Sequence, residues 1–298
     1  MYAGPIIDPH HHLWDLSLGK HPWLSPADPS VQALPGLSSI AYDYLVDDYR
    51  RDAAQHNVVA TVHIEALWAG DPTGETRWLE TLDKSHGVAA RYVAGAALGT
   101  PGVDRIIAEQ AAFGRVVGVR GILSCHPDPK KSFVADPGLA YNAEWRGDVA
   151  LLRGHGLHLE LMMYPYQADA VFDLGRAFPD LPIIINHCGS PIDRDPAGMQ
   201  RWRDAIKTIS ALPNLAVKIS NPGAYDPDWS LDSIRDVVMH CIDCFGVDRA
   251  MFGTDYPVSR IQMSFDQIYG TFKAIAAALP DADQAKLFHD NAQRFYRL

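Results

Sequence analysis

The run Pro5-Ile6-Ile7-Asp8-Pro9-His10-His11-His12-Leu13-Trp14-Asp15 leads two apolar residues straight into three imidazoles. Ile6-Ile7 reads as a short β-strand, and along an extended chain successive side chains alternate in direction. His10 and His12 therefore point the same way and His11 the other. Two convergent imidazoles at the end of a first strand suit a shared metal ion, or the polarisation of one substrate oxygen. A purification-tag remnant would stand outside any apolar pattern. This triplet is set among Ile, Leu and Trp.

Further along, short apolar runs bounded by turn residues recur at 58–64, 92–97, 116–123, 157–162, 183–186, 215–219 and 250–253. With the first they make eight. Several are nearly continuous in apolar residues, as expected of parallel strands covered on both faces. Between them lie segments with helical spacing, at 42–57, 74–86, 103–114, 143–155, 168–178, 198–211 and 231–245. Strand alternating with helix eight times over 298 residues predicts a single-domain α/β fold, a (β/α)8 TIM barrel spanning 1–298. An open doubly wound sheet is the competing topology, but no G-x-G-x-x-G follows the first strand. Residues 15–39, with four prolines, and 124–145 read as long connections, the first able to fold over the barrel mouth. Residues 282–298 read as a final helix that packs Leu287, Phe288, Phe295 and Tyr296.

Composition bounds the function class. With 26 basic and 36 acidic residues the net charge is -10, which argues against a nucleic-acid partner. No apolar run is long enough to span a membrane, and no secretory signal is visible. Cys241 and Cys244 form a C-x-x-C inside a helical pattern without the second pair a zinc site requires. They read, with Cys125 and Cys188, as ordinary buried thiols of a cytoplasmic protein. The expected partner is a small-molecule substrate. A homodimer through outer helices is a mild expectation.

A barrel delivers the C-terminal ends of its strands to one rim. Strand one brings His10 and His12, strand two His63 and Glu65, and strand four Arg120. Strand five ends near Tyr164 and Tyr166, strand six in Asn186-His187-Cys188-Gly189, and strand seven carries Lys218 and Ser220. Strand eight ends in Gly253-Thr254-Asp255-Tyr256-Pro257. This set suits water attack on an electrophilic carbon. Asp255 would take the proton from water. His10, His12 and His187 would bind a divalent ion or polarise the carbonyl under attack. Arg120 and Lys218 would hold a substrate carboxylate or the developing oxyanion. Competing structural roles exist: Lys218 could pair with Glu160 or Glu65 inside the barrel, and His63 could support the site rather than react. His158, early in its strand, reads as structural. Loop residues Trp14, Trp23, Trp68, His126, Tyr166 and Arg260 are candidates for substrate contact or for closing a lid.

On the His10-His11-His12 triplet, His187 in Asn-His-Cys-Gly and Asp255 in Gly-Thr-Asp-Tyr-Pro, the chain resembles the amidohydrolase superfamily. Asp8 to Asp15 followed by His21-Pro22-Trp23-Leu24, Val119-Arg120-Gly121 and the ending Asp290-Asn291-Ala292-Gln293-Arg294-Phe295-Tyr296 are similar to its lactone hydrolase subgroup. The similarity runs from residue 6 to 298. It implies a barrel hydrolase that opens a lactone of a sugar acid or a carboxylated ring. Asp255 would activate water and His10, His12 and His187 would engage the carbonyl or a metal. Many members carry a further ligand His on strand five. Here that strand ends Leu161-Met162-Met163-Tyr164, and no bridging lysine is evident, so a two-metal centre is not expected. The resemblance implies one divalent ion, with zinc suited to a three-His-plus-Asp set, or work without metal. Such a set leaves room for water only if one of the four stays off the ion. The alternative activity is metal-dependent decarboxylation of an aromatic or enoic acid, which normally leans on the missing His. A catalytically dead scaffold would have lost some of His10, His12, His187 and Asp255, and all four are present.

Overall fold

Eight parallel strands run in chain order, each hydrogen-bonded to the next. They are β1 (Ile6–His11), β2 (Val58–Ile64), β3 (Arg91–Gly95), β4 (Val116–Ile122), β5 (His158–Met162), β6 (Ile183–Ile185), β7 (Leu215–Ile219) and β8 (Ala250–Phe252). The computed structural model describes residues 1–25, 27 and 36–298. Beyond β8 the chain turns back to β1. The His12 amide donates to the Tyr256 carbonyl at 2.8 Å, and the Asp255 amide to the His10 carbonyl at 2.7 Å. These bonds close the (β/α)8 barrel.

Around the strands pack α1 (Val46–Asp52), α2 (Thr73–Thr81), α3 (Val103–Ala111), α4 (Ala143–Gly154), α5 (Ala168–Ala177), α6 (Pro196–Ser210), α7 (Leu231–Phe245) and α8 (Phe265–Ala276). Strand residues alternate between two apolar layers. Ile7, Val62, Ile64, Val93, Val117, Ile184, Ala216 and Met251 fill the barrel interior. Ile6, Tyr92, Val119, Leu159, Ile185 and Val217 face the helices. Helix starts follow local chemistry. Ser264 caps α8: its Oγ accepts the Gln267 amide at 3.2 Å, while the Gln267 side chain accepts the Ser264 amide at 2.8 Å.

Two expectations need correction. The helix expected at 42–57 is only Val46–Asp52, because the preceding residues pair elsewhere. Tyr44 bonds Trp14 in both directions at 2.9 Å, and the Tyr42 carbonyl accepts the Trp14 indole at 2.7 Å. The expected final helix is three pieces, Asp281–Ala285, a π-turn at Lys286–Asp290 and Asn291–Tyr296. Leu287, Phe288 and Tyr296 are buried as expected. Of the proposed mouth-covering loop, residues 26 and 28–35 lie outside the described residues. No helix among the described residues is long and apolar enough to cross a membrane.

Candidate active site and metal centre

The first strand is irregular where it matters. Asp8 and His11 both face Tyr49 of α1: the phenol donates to Asp8 Oδ2 at 2.8 Å, and the His11 ring lies tilted against it with centroids 4.7 Å apart. Positions three apart share a face only if the alternation slips between them, and the β1–β2 register does shift between Asp8 and His11. Pro9, with no amide to lose, sits in this bulge. The slip turns His10 and His12 toward the barrel mouth and sends His11 outward to Thr61 Oγ1 at 2.7 Å.

There the imidazoles meet Asp255. His10 Nε2 lies 3.1 Å and His12 Nε2 3.0 Å from Asp255 Oδ1. His187 joins from β6, its ring 4.6 Å from that of His10. Two of these residues occupy left-handed backbone: His187 at φ 52° and Asp255 at φ 60°. Cys188, Ser190 and Asn221 do the same beside them. Non-glycine residues held this way concentrate where geometry is functional.

Ring protonation follows from the partners. His12 Nδ1 lies 2.8 Å from the Ile64 carbonyl, which can only accept, so Nδ1 carries the hydrogen. Its Nε2 faces a carboxylate oxygen, an arrangement stabilised by a proton or a cation between them. His10 is fully buried and neither of its ring nitrogens has an aligned hydrogen-bond partner. Burial, aided by the charge of Lys218, pushes His10 well below the ordinary imidazole value. Burial lowers His187 to about 4. Burial acts to raise Asp255, but the adjoining His187 and His10 outweigh it and hold the carboxyl well below its usual range.

Neutral imidazoles beside an ionised carboxylate are the donor forms a zinc-like ion takes. Candidate ligand atoms of His10, His187 and Asp255 all lie within 4.8 Å of one another, so these three residues can coordinate a metal. His12, expected as a fourth ligand, is not within that group. It meets Asp255 from the side, with its other nitrogen anchored to a backbone carbonyl as ligand histidines commonly are.

Several groups support the centre: Ser220, expected on the rim without a stated role, Asp8 and Thr254 from the quoted motifs, and Asn221 and Glu75, which the sequence does not single out. Ser220 Oγ accepts the His187 amide at 3.3 Å and lies 2.9 Å from its Nδ1. The Asn221 side chain donates to Asp255 Oδ2 at 2.7 Å. Asp8 ties the two strand ends together, accepting the amides of His10 at 3.2 Å and Thr254 at 2.9 Å, and the Thr254 hydroxyl at 2.6 Å. Glu75 accepts the Ala66 amide at 2.9 Å and lies 3.1 Å from His63 Nε2. The Asn-Pro-Gly after β7 was the available hint of a tight turn.

A cleft of about 470 Å3 opens over β2, β3 and β4, walled by Trp68, Trp145, Leu98 and Ile122 and holding Glu65 and Arg120; none of His10, His12, His187 and Asp255 lines it, and Arg120 is its link to the centre. Arg120 Nη1 reaches Glu65 Oε1 at 3.3 Å, and its charge also bears on His187. Other residues expected to contact substrate hold bonds within the protein. Lys218 is fully buried, 2.5 Å from Glu160 and 3.1 Å from the Pro9 carbonyl. His63 takes the Leu13 amide on Nδ1 at 3.2 Å, so Nε2–H donates to Glu75. Arg260 is held by Asp52 at 2.6 Å and by Tyr42 and Tyr256. Tyr166 donates to Asp193 at 2.7 Å, and Tyr164 to the Lys131 carbonyl at 2.9 Å. The Trp23 indole donates to the Ala66 carbonyl at 2.9 Å, its ring edge-on to Trp14 at 5.7 Å. Trp68 remains on the cleft wall.

The family described as Amidohydrolase matches residues 7–298. The chain belongs to the amidohydrolase family and is an enzyme of the hydrolase class. The uncharacterized protein y4mH of Sinorhizobium fredii is 37% identical, with 98% of both chains covered. An L-fucono-1,5-lactonase of Burkholderia multivorans is 26% identical, over 98% of this chain and 96% of that one. A crystal structure of an amidohydrolase from Burkholderia multivorans with bound zinc superposes with a TM-score of 0.82, at 24% identity, over 99% of this chain and 100% of that one.

Proposed function

We propose that the protein hydrolyses a small lactone. The observation that carries this reading is the convergence of three imidazoles on Asp255 beside a cleft that presents a guanidinium. Opening a cyclic ester needs a group that accepts a proton from water, stabilisation of the carbonyl oxygen as it gains charge, and anchors for the ring. Asp255, ionised at neutral pH and aligned by Asn221, accepts the water proton. Its position between His10 and His12 keeps the transferred proton within reach of the departing ring oxygen. Carbon–oxygen cleavage then yields a hydroxy acid. Arg120 and the aromatic walls orient the substrate. A divalent ion held by His10, His187 and Asp255 would add Lewis-acid polarisation of the carbonyl. The L-fucono-1,5-lactonase relatives support this class of substrate.

The rim of β5 bears Met162, Met163 and Tyr164, without the further His on which decarboxylases of this type depend. The test is a panel of sugar and aromatic-pathway lactones, with acid release followed by pH indicator. Turnover is expected for at least one, and Asp255→Asn should lower it by about 100-fold or more. No turnover across the panel, together with carbon dioxide release from an aromatic or enoic acid, would replace this reading with decarboxylation.

A further inference from the structure

The cleft is unusual in how its charges are balanced. Among the described residues, the charged side chains lining it are Glu65, Glu75 and Arg120. Lys20 stands outside the lining, its ammonium 5.9 Å from the Trp68 ring. Glu65 accepts on both oxygens, from Arg120 on Oε1 at 3.3 Å and from the Leu67 amide on Oε2 at 2.9 Å, which is the bonding of an ionised carboxylate. Both partners of this ion pair are nearly buried, with side-chain exposures of 8% and 10%. Glu75 lies deeper, and burial followed by the charge of Glu65 pushes its carboxyl well above the usual range. One ionised carboxylate thus faces the one guanidinium. The Arg120 Nε is buried and has no partner.

From the Glu65–Arg120 pair we infer that Glu65 sets the charge selectivity of this site: it neutralises Arg120 and so fits the cleft to uncharged, polyhydroxylated lactones while turning away carboxylated ones. This rests on the lactonase reading and names the substrate class within it. A hydroxyl can donate to the Glu65 carboxylate and accept from an Arg120 Nη–H, so it suits the paired charges without displacing either. A substrate carboxylate would compete with Glu65 for Arg120 at close range. Like charges brought together in a partly desolvated site are strongly disfavoured. The partly exposed Trp68 of the lining suits the apolar edge of a sugar ring.

The experiment uses matched lactone pairs that differ only in CH2OH against carboxylate, with kcat/KM measured for wild type and Glu65→Gln. Wild type should favour the uncharged member by about 100-fold or more, and the variant should shrink that ratio by about tenfold or more. In parallel, calorimetry with benzene-1,3-dicarboxylate should show binding at least about tenfold tighter to the variant. A wild-type enzyme that takes both members equally, or a folded variant with an unchanged ratio and unchanged dicarboxylate binding, overturns the inference. Should the variant not fold, the wild-type ratio alone decides. If no lactone is hydrolysed but dicarboxylate binding still rises in the variant, the lactonase reading fails while the charge role of Glu65 stands.

Discussion

Asn221 shows how much of the site depends on groups that no motif announces. It sits directly after β7 at φ 46°, a conformation a side-chain-bearing residue adopts at a cost, and from there donates to Asp255 at 2.7 Å. Glycine tolerates that backbone freely but supplies no donor. Asn221→Gly should therefore lower the unfolding midpoint less than Asn221→Ala, which keeps the backbone cost as well as losing the donor, while both lower kcat/KM by about tenfold or more, the usual value of a hydrogen bond to a charged group. Urea unfolding beside steady-state kinetics separates the two effects. Ser220→Ala, which frees the His187 ring, should weaken zinc binding about 10- to 100-fold, as loss of a partner behind a ligand histidine does. Zinc titration of the purified protein measures it. His10, His12, His187 and Asp255 were legible because their chemistry is rare and their positions follow strands. Asn221 was not, and Ser220 was placed on the rim but given no role, since common polar residues acquire one only through a strained turn that the sequence does not display.

Strands were the most legible elements, because eight apolar runs with turn boundaries leave few alternatives in a chain of this length. Less visible was what the strands carry between them. Lys218 of β7 and Glu160 of β5 form an ion pair with no exposed surface, joined by Asn186 at 3.0 Å, His158 at 3.4 Å and the Tyr296 hydroxyl at 2.6 Å. A side chain at residue 118 would come within 2.3 Å of the His158 ring, so only glycine fits there. Glu160→Gln leaves a buried ammonium without its counter-charge and should cost about 3–5 kcal/mol, read by urea unfolding. The double change Glu160→Leu with Lys218→Met should cost less than that single substitution. The mouth loops are knotted by a different carboxylate. Asp193 accepts from Tyr166 and lies 3.1 Å from His126 and 3.0 Å from Lys131. Burial alone would raise it, but Tyr166, Lys131 and His126 bring it down to about 2. Its folded value is below its unfolded one, so its stabilising effect is present above about pH 4 and is lost as pH falls toward 2. The Tm difference between wild type and Asp193→Asn should be widest near pH 6 and narrow steadily below pH 4. A gap independent of pH would assign the effect to packing.

For the whole molecule, the decisive event is closure of β8 onto β1, because β1 brings His10 and His12 to the Asp255 that follows β8, with His187 reaching them from β6. Alternation within β1 predicts that His10 and His12 share a direction, and they do. Which direction depends on the slip at Pro9, and that slip becomes apparent only once Tyr49 is seen to face both Asp8 and His11. Asp8 is the bolt of the seam. Fully buried, it takes four hydrogen bonds, from Tyr49, from both donors of Thr254 and from the His10 amide. An asparagine of the same shape keeps Oδ1 for the two amides but sets its NH2 against the Tyr49 and Thr254 hydroxyls; Thr254 can turn to the His10 carbonyl at 3.3 Å, which leaves the Tyr49 hydroxyl without its acceptor. At roughly 1–3 kcal/mol for a buried donor without a partner, Asp8→Asn should cost about 1–3 kcal/mol. The loss should be local as well as global. Amide exchange at His12 and Asp255, the two donors that span the seam, should accelerate more than at Val217 in the β7–β8 pair. Activity should fall with it, since the distance between the imidazoles and Asp255 is set across that joint. Uniform acceleration at all three amides would show that the barrel opens as one unit and that Asp8 stabilises the fold without fixing the geometry of the site.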